Sequence, residues 1–76
     1  MSIVPIIGVR VLLQVLQKAG FYVVRQVGSH LRLENPVTKV TITVPVHAGD
    51  LSRKMLMAIL RQSRISITEF LKILKM

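Results

Sequence analysis

The sequence predicts an α+β two-layer sandwich with the order αβββα and a short C-terminal helix. Two observations point to it first. Apolar residues recur with helical spacing near the amino end and again in the last third, and between them lie three short β-like runs. The third is composition. Hydrophobic residues make up 51% of the chain and only three are aromatic, Phe21, Tyr22 and Phe70. Such a chain supports one aliphatic core between a sheet and helices on one of its faces. At 76 residues it reads as a single domain over 1–76. A domain of that size buries only about 60% of the surface its unfolded chain exposes, and with no cysteine no disulfide staples it.

The first helix is expected from Val9 to Ala19. Arg10, Gln14, Gln17 and Lys18 fall on one helical face, and Val9, Leu12, Leu13, Leu16 and Ala19 on the other. Gly20 suits a left-handed cap, with Phe21 following as its apolar contact. Tyr22–Val27 is rich in β-branched residues, Leu31–Glu34 alternates, and Val40–Val44 alternates more cleanly. Gly28-Ser29 reads as a tight turn and Asn35-Pro36 opens the next connection. Pro45 ends the third strand, because it cannot donate to a ladder. An antiparallel meander then sets Leu31 and Leu33 against Val40, Ile42 and Val44 on a core face. It leaves His30, Arg32 and Glu34 beside Thr41 and Thr43 on a polar one. A second helix is expected over about Leu51–Gln62, capped by Asp50 or Ser52. Its expected stripe is Leu51, Met55, Ala58 and Ile59. Ser66 with Glu69 forms a capping box for a third helix, with Ile65 and Phe70 as its hydrophobic staple.

Eleven Lys/Arg against three Asp/Glu give a net charge of +8. Self-repulsion of that size gives no folding benefit, so an anionic partner is expected. Scarce aromatics make base stacking limited and favour backbone and shape recognition. The apolar run Ile3–Val9 is broken by Pro5 and Gly8 and lacks a basic start, so no secretory signal is read. No run reaches the ~18 apolar residues of a membrane span. A cytoplasmic protein with no membrane partner is the expectation.

Three acids leave no carboxylate pair for glycoside chemistry and no cluster for Mg²⁺. No phosphate-binding glycine loop or nucleophile elbow is present. Two histidines without further ligands do not make a metal site, so no metal or other cofactor is expected. His30 stands at the mouth of a strand after a Gly-Ser turn, with Arg32 as its same-face neighbour. Histidine transfers protons near neutral pH, and guanidinium groups hold a phosphate and stabilise its developing charge. An RNA 2′-hydroxyl deprotonated by such a histidine attacks the adjacent phosphate with no metal; the bland reading is a solvated histidine. His47 follows the third strand as a second acid–base, a phosphate contact, or a turn histidine satisfied by backbone. Arg25, Ser29, Arg32, Lys39, His47, Arg53 and Lys54 are the expected RNA contacts.

Leu16-Gln17-Lys18-Ala19-Gly20-Phe21, Gly28-Ser29-His30, Val44-Pro45-Val46-His47 and Met57-Ala58-Ile59-Leu60-Arg61-Gln62 together resemble the HicA toxins, small mRNA interferases of bacterial toxin–antitoxin pairs. The likeness runs from about Val9 to Leu74, with the landmarks in family order. It implies a double-stranded-RNA-binding-like αβββα fold, His30 as the catalytic residue, mRNA as substrate and a HicB-type antitoxin that covers the site. Two other readings compete. One is a module of the same fold that binds RNA without cutting it. The other is a helix-turn-helix of the last two helices. Ile67-Thr68-Glu69 would open its recognition helix, with no Arg, Asn or Gln to read base edges.

Overall fold

The computed structural model describes residues 5, 7–46 and 51–76. Its elements are α1 (Val9–Lys18), β1 (Tyr22–Val27), β2 (His30–Glu34), β3 (Thr41–Pro45), α2 (Arg53–Ser63) and α3 (Ile67–Leu74). The strands form one antiparallel sheet in the order β1-β2-β3. This is the expected α+β arrangement, αβββα followed by a short helix. No helix among the described residues is long and apolar enough to cross a membrane.

Chain chemistry sets the ends of the elements. Gly20 takes φ +102° after α1. Its N–H donates to Gln17 O at 3.0 Å, and the Phe21 N–H donates to Leu16 O at 2.9 Å. Both bonds satisfy carbonyls left free at the helix end. Asn35, buried at the end of β2, accepts from the N–H groups of Val37 and Thr38 through Oδ1, at 2.9 and 3.2 Å. Its Nδ2 donates to Ala19 O at 3.4 Å, so one amide fixes the β2–β3 connection and ties it to the end of α1. Ser52 accepts from Met55 N and Ser66 from Glu69 N, each at 3.1 Å, capping α2 and α3. Asp50, the other expected α2 cap, lies outside the described residues.

The core draws on both layers. Leu12, Val15 and Leu16 of α1 meet Phe21, Leu33, Ile42 and Val44, then Leu56, Ile59 and Leu60 of α2, and Phe70 of α3. The α2 stripe keeps Leu51, just ahead of the helix, and Ile59 from the expected one but not Met55. Leu56, Ile59, Leu60 and Ser63 are buried, Ala58 is half-buried, and Met55 is 42% exposed. This helix is apolar on two adjoining stripes, so the face that packs is decided by where β3 lies against it, not by periodicity. β1 and β3 are the two edge strands, and β1 is the uncovered one. All six of its residues are exposed, because the helical layer packs over β2 and β3 and leaves the strand uncovered.

Candidate active site

The expected pairing holds over most of β2 and β3. Leu31 faces Val44, Arg32 faces Thr43, Leu33 faces Ile42 and Glu34 faces Thr41. His30 faces Pro45 rather than a threonine. Facing residues of an antiparallel pair share a side of the sheet. Leu31, Leu33, Ile42 and Val44 therefore look toward the helices, and His30, Arg32 and Glu34 look away.

β1 joins this outer face through a bulge. Val23 pairs with Leu33, but Arg25, not Val24, pairs with Arg32, and Val27 pairs with His30. In an unbroken strand Arg25 would share the side of Val23 and point toward the helices. The extra residue at the bulge reverses that alternation. It brings Arg25 opposite Arg32 and Val27 opposite His30. The sequence carries a faint sign of this, since two adjacent valines interrupt any period-two pattern. Such a signal is too common to locate a bulge.

Arg25, Val27, His30, Arg32 and Thr43 line one open depression of about 400 Å³. The outer face thus has ordered rows. Val27, His30 and Pro45 form one, Arg25, Arg32 and Thr43 the next, and Tyr22, Glu34 and Thr41 the third. The turn that delivers His30 is braced from two sides. Gly28 adopts φ +59°, a conformation glycine takes at little cost. Gln26 Nε2 donates to Gly28 O at 3.1 Å, and Val46 N donates to Ser29 O at 2.6 Å. Chemically, the depression combines a proton carrier with two fixed cations, and among the described residues no carboxylate lines it.

The other expected contacts lie elsewhere. Ser29 is in the turn and engages through its carbonyl. Lys39 sits in the β2–β3 connection with φ +66°, at the opposite end of the sheet from His30. Arg53 and Lys54 are exposed in the first turn of α2, on the helical layer. His47 lies outside the described residues. Among the described residues no group of three metal-ligating side chains gathers.

A family model described as "HicA toxin of bacterial toxin-antitoxin" matches residues 9–65. The match runs from the first residue of α1 to the residue after the α2 cap and so includes the whole sheet. No curated protein matches the chain.

Proposed function

This chain belongs to the HicA toxin family of bacterial toxin–antitoxin systems, and on that footing we propose that it is a metal-independent mRNA endoribonuclease with His30 as its catalytic acid–base. A HicB-type antitoxin is its inhibitor, and its place of action is the cytoplasm, where mRNA is found. One observation carries the reading: the strand register gathers His30, Arg25 and Arg32 around one open depression.

In this mechanism the two guanidiniums hold the non-bridging oxygens of one phosphodiester. Planar forks of N–H donors suit that geometry. His30 removes the proton from the neighbouring 2′-hydroxyl. The freed oxygen attacks phosphorus and the bond to the 5′-oxygen breaks. The products are a 2′,3′-cyclic phosphate and a 5′-hydroxyl, whose proton comes from solvent at the open mouth. Charge gathers on the phosphoryl oxygens as the transition state forms, where Arg25 and Arg32 stabilise it. Among the described residues the donor set supports chemistry without a metal: Glu34 is four strand positions from His30 and Glu69 belongs to α3. The antitoxin reading is supported by the same face. A partner with carboxylates for the two arginines and apolar groups for Val24 and Val27, 57% and 60% exposed, would occlude the depression.

The test is single-turnover cleavage of a long RNA by the parent and by His30→Ala, with and without EDTA, over roughly pH 5 to 9. His30 is exposed, so its loss opens no core cavity, and the variant should fold and still bind RNA. Cleavage should fall 10²–10⁴-fold, the range typical for a lost general acid–base, and the parent should be insensitive to EDTA. Equal rates for the two proteins would sink the assignment. RNA bound but never cut by the parent would favour a binding module of the same fold.

A further inference from the structure

Tyr22 is the only tyrosine in a chain without tryptophan. Phe21 and Phe70 are buried, whereas Tyr22 is 59% exposed. It opens β1 opposite Glu34, which in turn faces Thr41. These three residues form the row of the outer face next to the two arginines, on the same side as His30. A large exposed ring has no role in the core. Beside a phosphate-binding row, it offers the flat apolar surface on which a nucleic-acid base stacks.

Glu34 decides what the row accepts. Its carboxylate repels phosphate, so the RNA backbone keeps to the arginine row and a base is what turns toward Glu34. An ionised carboxylate only accepts hydrogen bonds, through two oxygens side by side. Guanine offers the matching edge, with its N1–H and an N2 amine hydrogen adjacent and parallel. Adenine and cytosine each set one amine beside a ring-nitrogen acceptor, which the second oxygen would repel. Uracil flanks its single N–H with two carbonyls. Glu34 lies four residues along β2 from His30, about 13 Å at strand spacing. The stacked base therefore belongs to a nucleotide flanking the cleaved linkage, not to the one whose 2′-hydroxyl attacks.

We propose that Tyr22 and Glu34 form a base-binding subsite that stacks a flanking RNA base and selects guanine. The proposal rests on the ribonuclease reading and adds to it the origin of sequence preference.

The lone tyrosine makes the test direct, because the protein's intrinsic emission reports on that ring. Short 2′-O-methyl oligonucleotides, which cannot be cleaved, would be titrated in low salt. Each carries one guanine, adenine or cytosine in a uridine background, beside an all-uridine control. Binding is followed both by tyrosine emission and by the anisotropy of a labelled strand. Emission should be quenched on binding, and a guanine at one position should bind about tenfold tighter than uridine there. Tyr22→Ala should weaken binding about tenfold. Glu34→Gln should abolish the guanine preference while leaving the all-uridine strand bound at least as tightly. RNA that binds with unchanged tyrosine emission, or a base preference that survives Glu34→Gln, overturns the subsite and leaves the ribonuclease reading intact. Absence of RNA binding at any salt concentration removes both.

Discussion

Arg25 and Arg32 are directly opposed on neighbouring strands. Like charges in that relation destabilise a sheet by roughly 0.2–1 kcal/mol relative to a neutral pair. A bulge that turns an arginine toward another arginine is unfavourable to folding alone, and it becomes favourable when an anion lies between them. Stability and binding should therefore move in opposite directions. Arg25→Thr keeps a residue suited to strands and removes the repulsion. The urea midpoint should rise, by the equivalent of up to about 0.5 kcal/mol. RNA affinity and cleavage should both fall, with the rate at saturating protein reduced as well, since the proposed mechanism assigns the lost group to stabilising developing charge. A variant less stable than the parent would mean that Arg25 serves the fold. The sequence makes His30 and Arg32 legible together because they alternate within one strand after a glycine turn. Arg25 is legible as a basic residue of the sheet, but its relation to Arg32 is not. That relation depends on where β1 slips against β2, which is set by cross-strand packing rather than by local pattern.

Helix ends were the most readable parts of the chain, because caps are short-range chemistry. Gly20, Ser52 and Ser66 occupy the positions that orphan backbone groups require. The stripe of α2 is only partly readable: Leu51 and Ile59 are buried as expected, but Leu56 and Leu60 take the place of Met55, and only the position of β3 chooses between them. The end of α2 also departs from local preference. Arg64 takes φ +62° and ψ +28°, and the Ile65 N–H donates to Leu60 O at 3.0 Å. This is the closure seen after α1, with arginine where α1 has glycine. The left-handed conformation costs an L-residue roughly 1–2 kcal/mol, which glycine avoids. Part of that gain is offset by glycine's greater freedom in the unfolded chain. Arg64→Gly should therefore stabilise by about 0.5–1 kcal/mol, raising Tm by a few degrees in a domain of this size. Differential scanning calorimetry reads it directly. An unchanged or lower Tm would mean that the arginine side chain makes contacts that outweigh the backbone strain.

Positive charge is found on both layers of the molecule, and under the proposed function its arrangement bears on how RNA would be held. β3 ends at Pro45 opposite His30, and α2 opens with Arg53 and Lys54. The Leu51 N–H donates to Ile7 O at 3.2 Å, tying the approach to α2 to the approach to α1. The first turn of α2, eight positions after Pro45, is within chain reach of the His30 end of the sheet, although it belongs to the opposite layer. That turn carries no acidic residue. Cations there oppose the helix dipole, which favours negative charge near its N-terminus. Two cations and the dipole together attract an anion that neither would order alone. A strand whose cleaved linkage sits between Arg25 and Arg32 would pass round this end and leave a phosphate at α2. Replacing both Arg53 and Lys54 with alanine should then weaken every RNA sequence about equally. It should also reduce the slope of log affinity against log salt by about 0.7, the value for one phosphate contact on a single strand. The single-turnover rate at saturation should be unchanged, because neither residue reaches the reacting phosphate. This separates the pair from Arg25, whose loss lowers both. Filter binding across a salt series and one saturating cleavage experiment suffice. An unaltered slope would confine the RNA to the sheet face, and a reduced saturating rate would bring α2 into the chemistry.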